Sequence, residues 1–567
     1  MMRKTLSRWS RWTALLLLWC AGSSRGLAEE PRYEWDHVER IVAIGDIHGA
    51  YENFVRVLQN AKVIDGKRRW IGGKTQVVQN GDIVDRGPHS RKAMDLLMKL
   101  QDKAKKAGGM VHVLIGNHEA MNVVGILDLV SHEEYAAFVD RDSRRRREAA
   151  FDRYYEQLKR DAKEAGEKVR RRKEVQKEFE AKYPLGFIEH RKAFGADGKY
   201  GKWIRGNNTA IKINGIVFSH GDWSEKFSQI GIEEVNRRVR QELRGELPLE
   251  QGLTFDEESP LQYRGLANTT LTRAAQDREL PRVERILEDL SAERMVVGHT
   301  VTEGVIESRF GGKHVSIDTG MLELYRGGHR IALEIVGEEM RAIHDDGSVV
   351  VPPIMDERNL NDYVRAVSEV DPTNIEVQLE LVDILREEGR LPETVPILEK
   401  LFERPKYMPF RYRDLLGTEY LERGEDAKAK EQFELYVEGL SQLVKKSRTN
   451  SNLANLLARF CVDKGIELDL AEETIREAIG QAPENFQLRL TLARVQVAKK
   501  HYREALETIR GWKPDDGHEY EIHYVSGLAY LGLDETAEAR QAFEAALEAE
   551  PGREEARKQL EQLVENR

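Results

Sequence analysis

The sequence predicts an α/β layered domain followed by an all-α helical solenoid. From about 33 to 347, short β-rich apolar runs alternate with helical stretches, as strands and helices do in one layered domain. From about 359 onward the β-rich runs stop, and small and aromatic residues recur at fixed intervals, as in stacked helical pairs. A chain of 567 residues is also too long for one compact core of ordinary size.

Composition excludes several classes. No apolar run reaches the ~18–20 residues of a membrane-spanning helix, so a multi-span protein is excluded. Two cysteines exclude a disulfide scaffold, and a net charge of −10 argues against a general nucleic-acid binder. Charged residues make up 33% of the chain and aromatics 7%, which points to a helix-rich protein with much solvated surface.

The N-terminus reads as a removable segment. Arg3, Lys4, Arg8 and Arg11 precede a short apolar run at 12–21, and small residues follow up to Ala28. This is the order of a secretory signal peptide (1–28), so the expectation is an exported, periplasmic or secreted protein. Cleavage after Ala28 would leave Cys461 as the single cysteine, most simply a small core residue.

The expected strands of the first domain (33–347) are 41–44, 75–78, 111–115, 215–219, 295–297 and 315–317. Between the third and fourth lies a charged stretch, 131–183, broken by neither Pro nor Gly except Gly166. It reads as a helical hairpin turning near Gly166. Two roles stand for it: a solvated insertion or a docking arm for an acidic partner.

The helical region (359–567) holds a repeat. Gly527, Tyr530, Ala539, Phe543, Ala546 and Pro551 match the tetratricopeptide pattern, and Gly417, Tyr420, Ala429 and Phe433 repeat its offsets. Ala471, Ile475, Ala478 and Pro483 repeat them again, as do Ala505 and Ile509. The marker alanines 429, 471, 505 and 539 are spaced by 42, 34 and 34, so an eight-residue insertion is expected after the first.

The chemistry sits in the first domain. Gly45-Asp46-Ile47-His48-Gly49, Gly81-Asp82-Ile83-Val84-Asp85-Arg86-Gly87 and Gly116-Asn117-His118-Glu119 each follow an expected strand, about one strand–helix–strand unit apart. They should lie side by side at strand carboxyl ends, where α/β sheets build their sites. Two later strands end at Ser219-His220-Gly221-Asp222 and Gly298-His299-Thr300. Together these ends supply aspartates, an asparagine carbonyl and imidazoles without thiolate, a donor set suited to Mn, Fe or Zn. Two ions some 3.5–4 Å apart would clamp a phosphoryl group and acidify a bound water.

The order GDxHG, GDxVDRG, GNHE, His, His resembles the calcineurin-like metallophosphoesterase superfamily, in its phosphoprotein phosphatase branch. The stretch GNHEAMNV at 116–123, with Tyr263-Arg264-Gly265 and Ile317-Asp318-Thr319-Gly320-Met321, is most similar to the bacterial Shewanella-like phosphatases. The resemblance spans roughly 38–340 and implies a β-sandwich flanked by helices and a dinuclear-metal-dependent phosphatase. It implies that Asp46 and His48 hold one ion, that Asp82 bridges two, and that Asn117, His220 and His299 complete the second. His118, paired with Asp85, would protonate the leaving oxygen, and Arg86, Arg264 and Asn117 would face the phosphate. Attack would be in line, by a hydroxide held on the metal pair.

The family usually shows His-Gly-Gly where this chain has His220-Gly221-Asp222. Asp222 either adds a carboxylate near the second ion or caps a turn, and Asp318 likewise has a supporting or a turn role. His112, His190, Trp203 and Trp223 are expected to pack rather than to act.

Three functions compete at this stage. The first is a phosphatase of phosphoprotein or phosphopeptide, with the tetratricopeptide-like region binding a protein partner. The second is a nucleotide, dinucleoside polyphosphate or other small-molecule phosphoesterase. The third is a scaffold whose phosphatase domain is inactive.

Overall fold

The computed structural model describes residues 30–565 apart from 303, 326, 353–354, 405, 407, 448–449 and 511–517; the expected signal peptide at 1–28 lies outside the described residues. The chain divides into two compact units, 1–377 and 378–567.

Among the described residues of the first unit, twelve strands run in chain order as β1 (Glu34–Trp35), β2 (Ile41–Ile44), β3 (Gln76–Gln79), β4 (Met110–Val113), β5 (Ala210–Ile213), β6 (Ile216–Ser219), β7 (Arg294–Val297), β8 (Glu307–Arg309), β9 (His314–Ser316), β10 (Ala332–Val336), β11 (Glu339–Ile343) and β12 (Ser348–Val350). They form two six-stranded sheets, ordered β12-β11-β10-β2-β3-β4 and β1-β5-β6-β7-β9-β8. β2, β3 and β4 are parallel neighbours in one sheet, and β6, β7 and β9 are parallel neighbours in the other.

Strand alternation explains the sandwich. Ile41, Ala43 and Val78 from one sheet pack with Ile211, Phe218, Val296 and Val315 from the other in a shared inner layer. The alternate residues Val42, Ile44, Val77, Val217 and Val297 join an outer core with helix residues such as Phe54, Leu97 and Ile286. Both faces are therefore covered, which is why these strands read as continuous apolar runs rather than alternating ones. Each fully buried Ile, Val or Phe in these layers contributes about 1.5–3 kcal/mol.

The charged stretch forms a short helix, His132–Ala136, and then a hairpin of two longer ones, Ser143–Ala165 and Arg172–Lys182, with the turn at Gly166. Phe151, Val175 and Phe179 make a small apolar seam between them. The first unit extends past 347 through helix Leu360–Val370, because His344 Nδ1 donates to Asp371 Oδ2 at 3.3 Å and Asn374 Nδ2 donates to the Gly304 carbonyl at 2.7 Å.

Among its described residues, the second unit forms helices and no strand. The marker residues Ala429, Ala471, Ala505 and Ala539 are buried at helix–helix seams. The wider first spacing is taken up within helix Asp426–Lys446, which has 21 residues against 14 in Leu468–Gln481 and Thr536–Ala549. Cys461 is fully buried, and burial pushes its thiol up to about 12.

Candidate dinuclear metal centre

The carboxyl ends of β2, β3 and β4 meet those of β6 and β7. Asn80, just past β3, ties the two sheets together: its Nδ2 donates to the carbonyls of Ser219 and Val296 at 3.0 Å each, and its own carbonyl accepts from His220 Nδ1 at 2.9 Å. The structure thereby brings Asp46, His48, Asp82, Asn117, His118, His220 and His299 into one buried region.

Two groups of ligand-type side chains share Asp82: His48 with His118 on one side, where Asp46 rather than His118 was expected beside His48, and His220 with His299 on the other. Asp82 Oδ2 lies 3.6 Å from His48 Nε2, 3.7 Å from His118 Nε2 and 3.3 Å from His220 Nε2. Asp46 Oδ2 lies 3.8 Å from His48 Nε2, while Asp46 Oδ1 accepts the His299 backbone N–H at 3.0 Å.

Backbone carbonyls set the imidazole tautomers. His48 Nδ1 donates to the Val84 carbonyl at 2.9 Å, so its Nε2 carries the lone pair, as does that of His220. His299 is reversed: its Nε2 donates to the Gln262 carbonyl at 3.0 Å, which leaves the lone pair on Nδ1, where Arg264 Nη2 donates at 3.3 Å. His118 Nδ1 pairs with Asp85 Oδ2 at 2.7 Å, and Asn122 Nδ2 holds the other Asp85 oxygen at 2.7 Å. Arg86 donates to the Tyr325 hydroxyl at 2.6 Å, and Arg264 donates to the His299 carbonyl.

The loops are held in unfavourable backbone conformations. His48, Asp82, Asp85, Arg86 and His299 all have positive φ, between 45° and 71°. Non-glycine residues adopt this region only when their surroundings impose it, and such strain gathers at functional sites. Here the imposing contacts are visible. Ile47 and His48 N–H both donate to the Asp82 carbonyl at 2.9 and 2.8 Å. Glu119 accepts from the N–H groups of Asp82, Ile83 and Gly116 at 2.8–2.9 Å. A Cβ at Gly116 would come within 2.2 Å of Asp82 Oδ1, and one at Gly298 within 2.5 Å of Asp46 Oδ1, so both motif glycines are required by close approach.

The electrostatics fit two divalent cations. Burial, then Asp318 and Asp82 beside it, push Asp46 well above the usual carboxylate range. Burial drives the His48 imidazole down to about 3 and that of His299 down to about 2. Burial opposes ionisation of Asp82, but His220, His118 and His48 hold it well below the ordinary value. Burial also opposes charge on His118, yet Asp82 and Asp85 hold it above the ordinary value. Oxygen and nitrogen ligands about 2.1 Å from one ion stand roughly 3–3.5 Å apart, close to the spacings around Asp82 Oδ2. Moreover, the His220 Nε2 lone pair faces Asn117 Oδ1 at 2.9 Å. Two acceptors so placed are reconciled by a cation bound to both.

The comparisons with known proteins agree with this site. Residues 39–315 match the family of calcineurin-like phosphoesterases, and 419–566 match a tetratricopeptide repeat-like domain. The chain carries a calcineurin-like metallophosphoesterase domain. The Shewanella-like protein phosphatase 1 of Plasmodium berghei (strain Anka) is 27% identical over 296 residues, which is 50% of this chain and 67% of that protein. The Shewanella-like protein phosphatase 2 of Arabidopsis thaliana is 28% identical over 300 residues, 50% of this chain and 71% of that protein. A solved cold-active protein-tyrosine phosphatase of a psychrophile Shewanella sp. is 24% identical, covering 57% of this chain and 83% of that one at a TM-score of 0.42. The metallophosphoesterase domain is a metal-dependent phosphoesterase with two clusters of His and Asp side chains that fit a pair of divalent ions.

Sequence reasoning missed several parts of this domain's centre. Glu119 sits within its motif with no residue pattern that gives it a role, and nothing in the sequence marks Asn122 or Tyr325. Asn80 had one available signal, a polar residue directly after an apolar strand. Asp318 supports the turn after β9, accepting the Gly320 N–H at 3.1 Å, and it also neighbours Asp46. Asp222 does not enter either ligand group; its carboxylate accepts from backbone N–H groups, as a turn cap does. His112 bonds Gln76 and packs on Trp35, while His190 and Trp223 are fully buried. Trp203 Nε1 donates to Gln101 Oε1 at 2.8 Å.

Proposed function

We propose that the chain is an exported phosphatase that hydrolyses phosphomonoesters of protein or peptide, with the repeat region binding a protein partner. The observation that carries the reading is the sharing of Asp82 between two ligand groups, with Arg86 and Arg264 beside them. The protein-phosphatase names of the relatives support the substrate class, and the basic, apolar, small-residue order before Glu29 supports export.

Asp46, His48, Asp82, Asn117, His220 and His299 would hold the ions, as Mn, Fe or Zn. When bound, the ions supply positive charge toward the phosphate oxygens and lower the pKa of a water. The chain's own groups do the rest. Arg86 and Arg264 orient the phosphate with guanidinium forks. As the ester P–O bond breaks and the water oxygen bonds phosphorus, His118 Nε2 gives its proton to the leaving oxygen. Asp85 fixes the ring for that transfer.

The test is phosphate release by the chain from Glu29, stripped and reloaded with Mn, from a phosphotyrosine peptide, a phosphoserine peptide and a dinucleoside polyphosphate. Peptide turnover is expected to dominate. Turnover of the nucleotide alone would move the function to small-molecule hydrolysis, and silence on all three with metal bound would leave a scaffold.

A further inference from the structure

Asp222 lies two residues past His220, and neither ligand group uses it. It is nonetheless 1% exposed and fully engaged. Its Oδ2 accepts the backbone N–H of Leu266 at 2.7 Å and of Ala267 at 2.8 Å. Its own N–H donates to the Tyr263 carbonyl at 2.9 Å, and the preceding N–H, of Gly221, donates to the Pro260 carbonyl at 2.7 Å. Arg264 lies between these attachments, so one residue grips the turn on both sides of it. The other oxygen, Oδ1, accepts from His314 Nε2 at 2.7 Å, and His314 is fully buried on β9.

We propose that Asp222, oriented by His314, is the positioning residue for Arg264, and so sets how tightly the site holds phosphate. This rests on the reading of Arg264 as a phosphate ligand. A guanidinium on a loop of its own has many rotamers to lose on binding. A turn held by a buried carboxylate on both flanks has fewer, and the arginine is further tied to the His299 carbonyl. Ionised carboxylates make stronger bonds to N–H than neutral acceptors, so a single side chain suffices as the anchor. A misplacement of about 1 Å in a substrate-positioning group can cost roughly a hundredfold in rate.

The experiment uses the Mn-loaded full chain and four variants: Asp222→Ala, Asp222→Asn, His314→Gln and Arg264→Lys, with Asp222→Ala/Arg264→Lys as the double. Inorganic phosphate affinity, KM, kcat, bound metal and amide exchange at 264–267 are measured. Asp222→Ala is expected to weaken phosphate and raise KM about tenfold or more, with a smaller fall in kcat, faster exchange at Leu266 and Ala267, and full metal content. Asp222→Asn, which keeps an acceptor for both amides, should recover most of the affinity, and His314→Gln should fall between. The double variant should bind phosphate no more weakly than Arg264→Lys alone, because Asp222 acts through Arg264.

Unchanged phosphate affinity in Asp222→Ala, multiplied penalties in the double, or loss of metal would each overturn the proposal. Should Asp222→Ala fail to fold, wild-type affinity in both Asp222→Asn and His314→Gln, with unaltered exchange at Leu266 and Ala267, would overturn it equally. A wild-type chain that carries both ions yet binds no phosphate would sink the Arg264 reading itself. Faster exchange in Asp222→Ala would then still report the grip on the turn, which separates the two failures.

Discussion

The phosphoesterase centre and the helical repeats are held together over different ranges of sequence. At the centre, the His299 N–H reaches an Asp46 oxygen 253 residues away, and Asn80 reaches carbonyls 139 and 216 residues away. In the repeats, the close contacts join neighbouring helices: Gly527 against Phe543, and Gly417 against Phe433. A solenoid repeat buries its face on its neighbours, so its stability is local. The centre exists only when the whole sandwich has formed. The difference implies that a defect at the centre spreads to every ligand, whereas a defect in one repeat stays near it.

The largest test of that contrast is Asp82→Asn. It removes the charge shared by both ligand groups, so phosphate release should fall about 10³-fold or more. Elemental analysis should find both ions depleted, and full metal content with normal turnover would break the two-ion reading. Next comes His118→Asn, which should keep both ions. Its rate should fall about 10²-fold or more on unactivated esters and far less on an activated aryl ester; equal losses on both would remove His118 as proton donor.

Glu119→Gln tests the scaffold beneath the ligands. A neutral amide cannot satisfy all the N–H groups that the carboxylate accepts, so a stability loss of about 1–3 kcal/mol is expected in thermal unfolding. Metal affinity should weaken with it.

The repeats should answer on their own. A Cβ at Gly527 would stand 2.5 Å from the Phe543 ring, so Gly527→Ala should cost about 1–3 kcal/mol in the unfolding of that unit. Metal content and turnover should not change; a loss of bound metal would show that the two regions are not independent. The smallest effect concerns Cys461. With its thiol buried and pushed up to about 12, it should resist a thiol reagent at pH 8 in the folded chain and label only on unfolding.

Much of the ligand set was legible because each ligand follows a strand and sits in a short motif with glycine, where the local signal is dense. The strands at 41–44, 216–219 and 294–297 were legible because they are buried on both faces and read as apolar runs. β10 and β11 were not, because they include partly exposed charged residues such as Glu334 and Arg341, and β12 has only three residues, none of them buried. β1 has only two residues and carries no periodicity at all. Likewise Glu119 acts by accepting from backbone N–H groups, and no residue pattern reveals which amides a carboxylate will meet.

By itself the sequence determined the order of chemical groups, the α/β-then-helical division and the repeat spacing, since each is written in residue type and interval along one stretch of chain. Only the tertiary structure decided that the two sheets close face to face, that His299 bonds a backbone carbonyl through Nε2 where His48 and His220 use Nδ1, and that Asp222 grips the Arg264 turn rather than joining the ligands. The physical reason is the same in each case. Hydrogen bonds to buried backbone groups must be satisfied wherever the chain brings them, and the partners that satisfy them lie tens to hundreds of residues away.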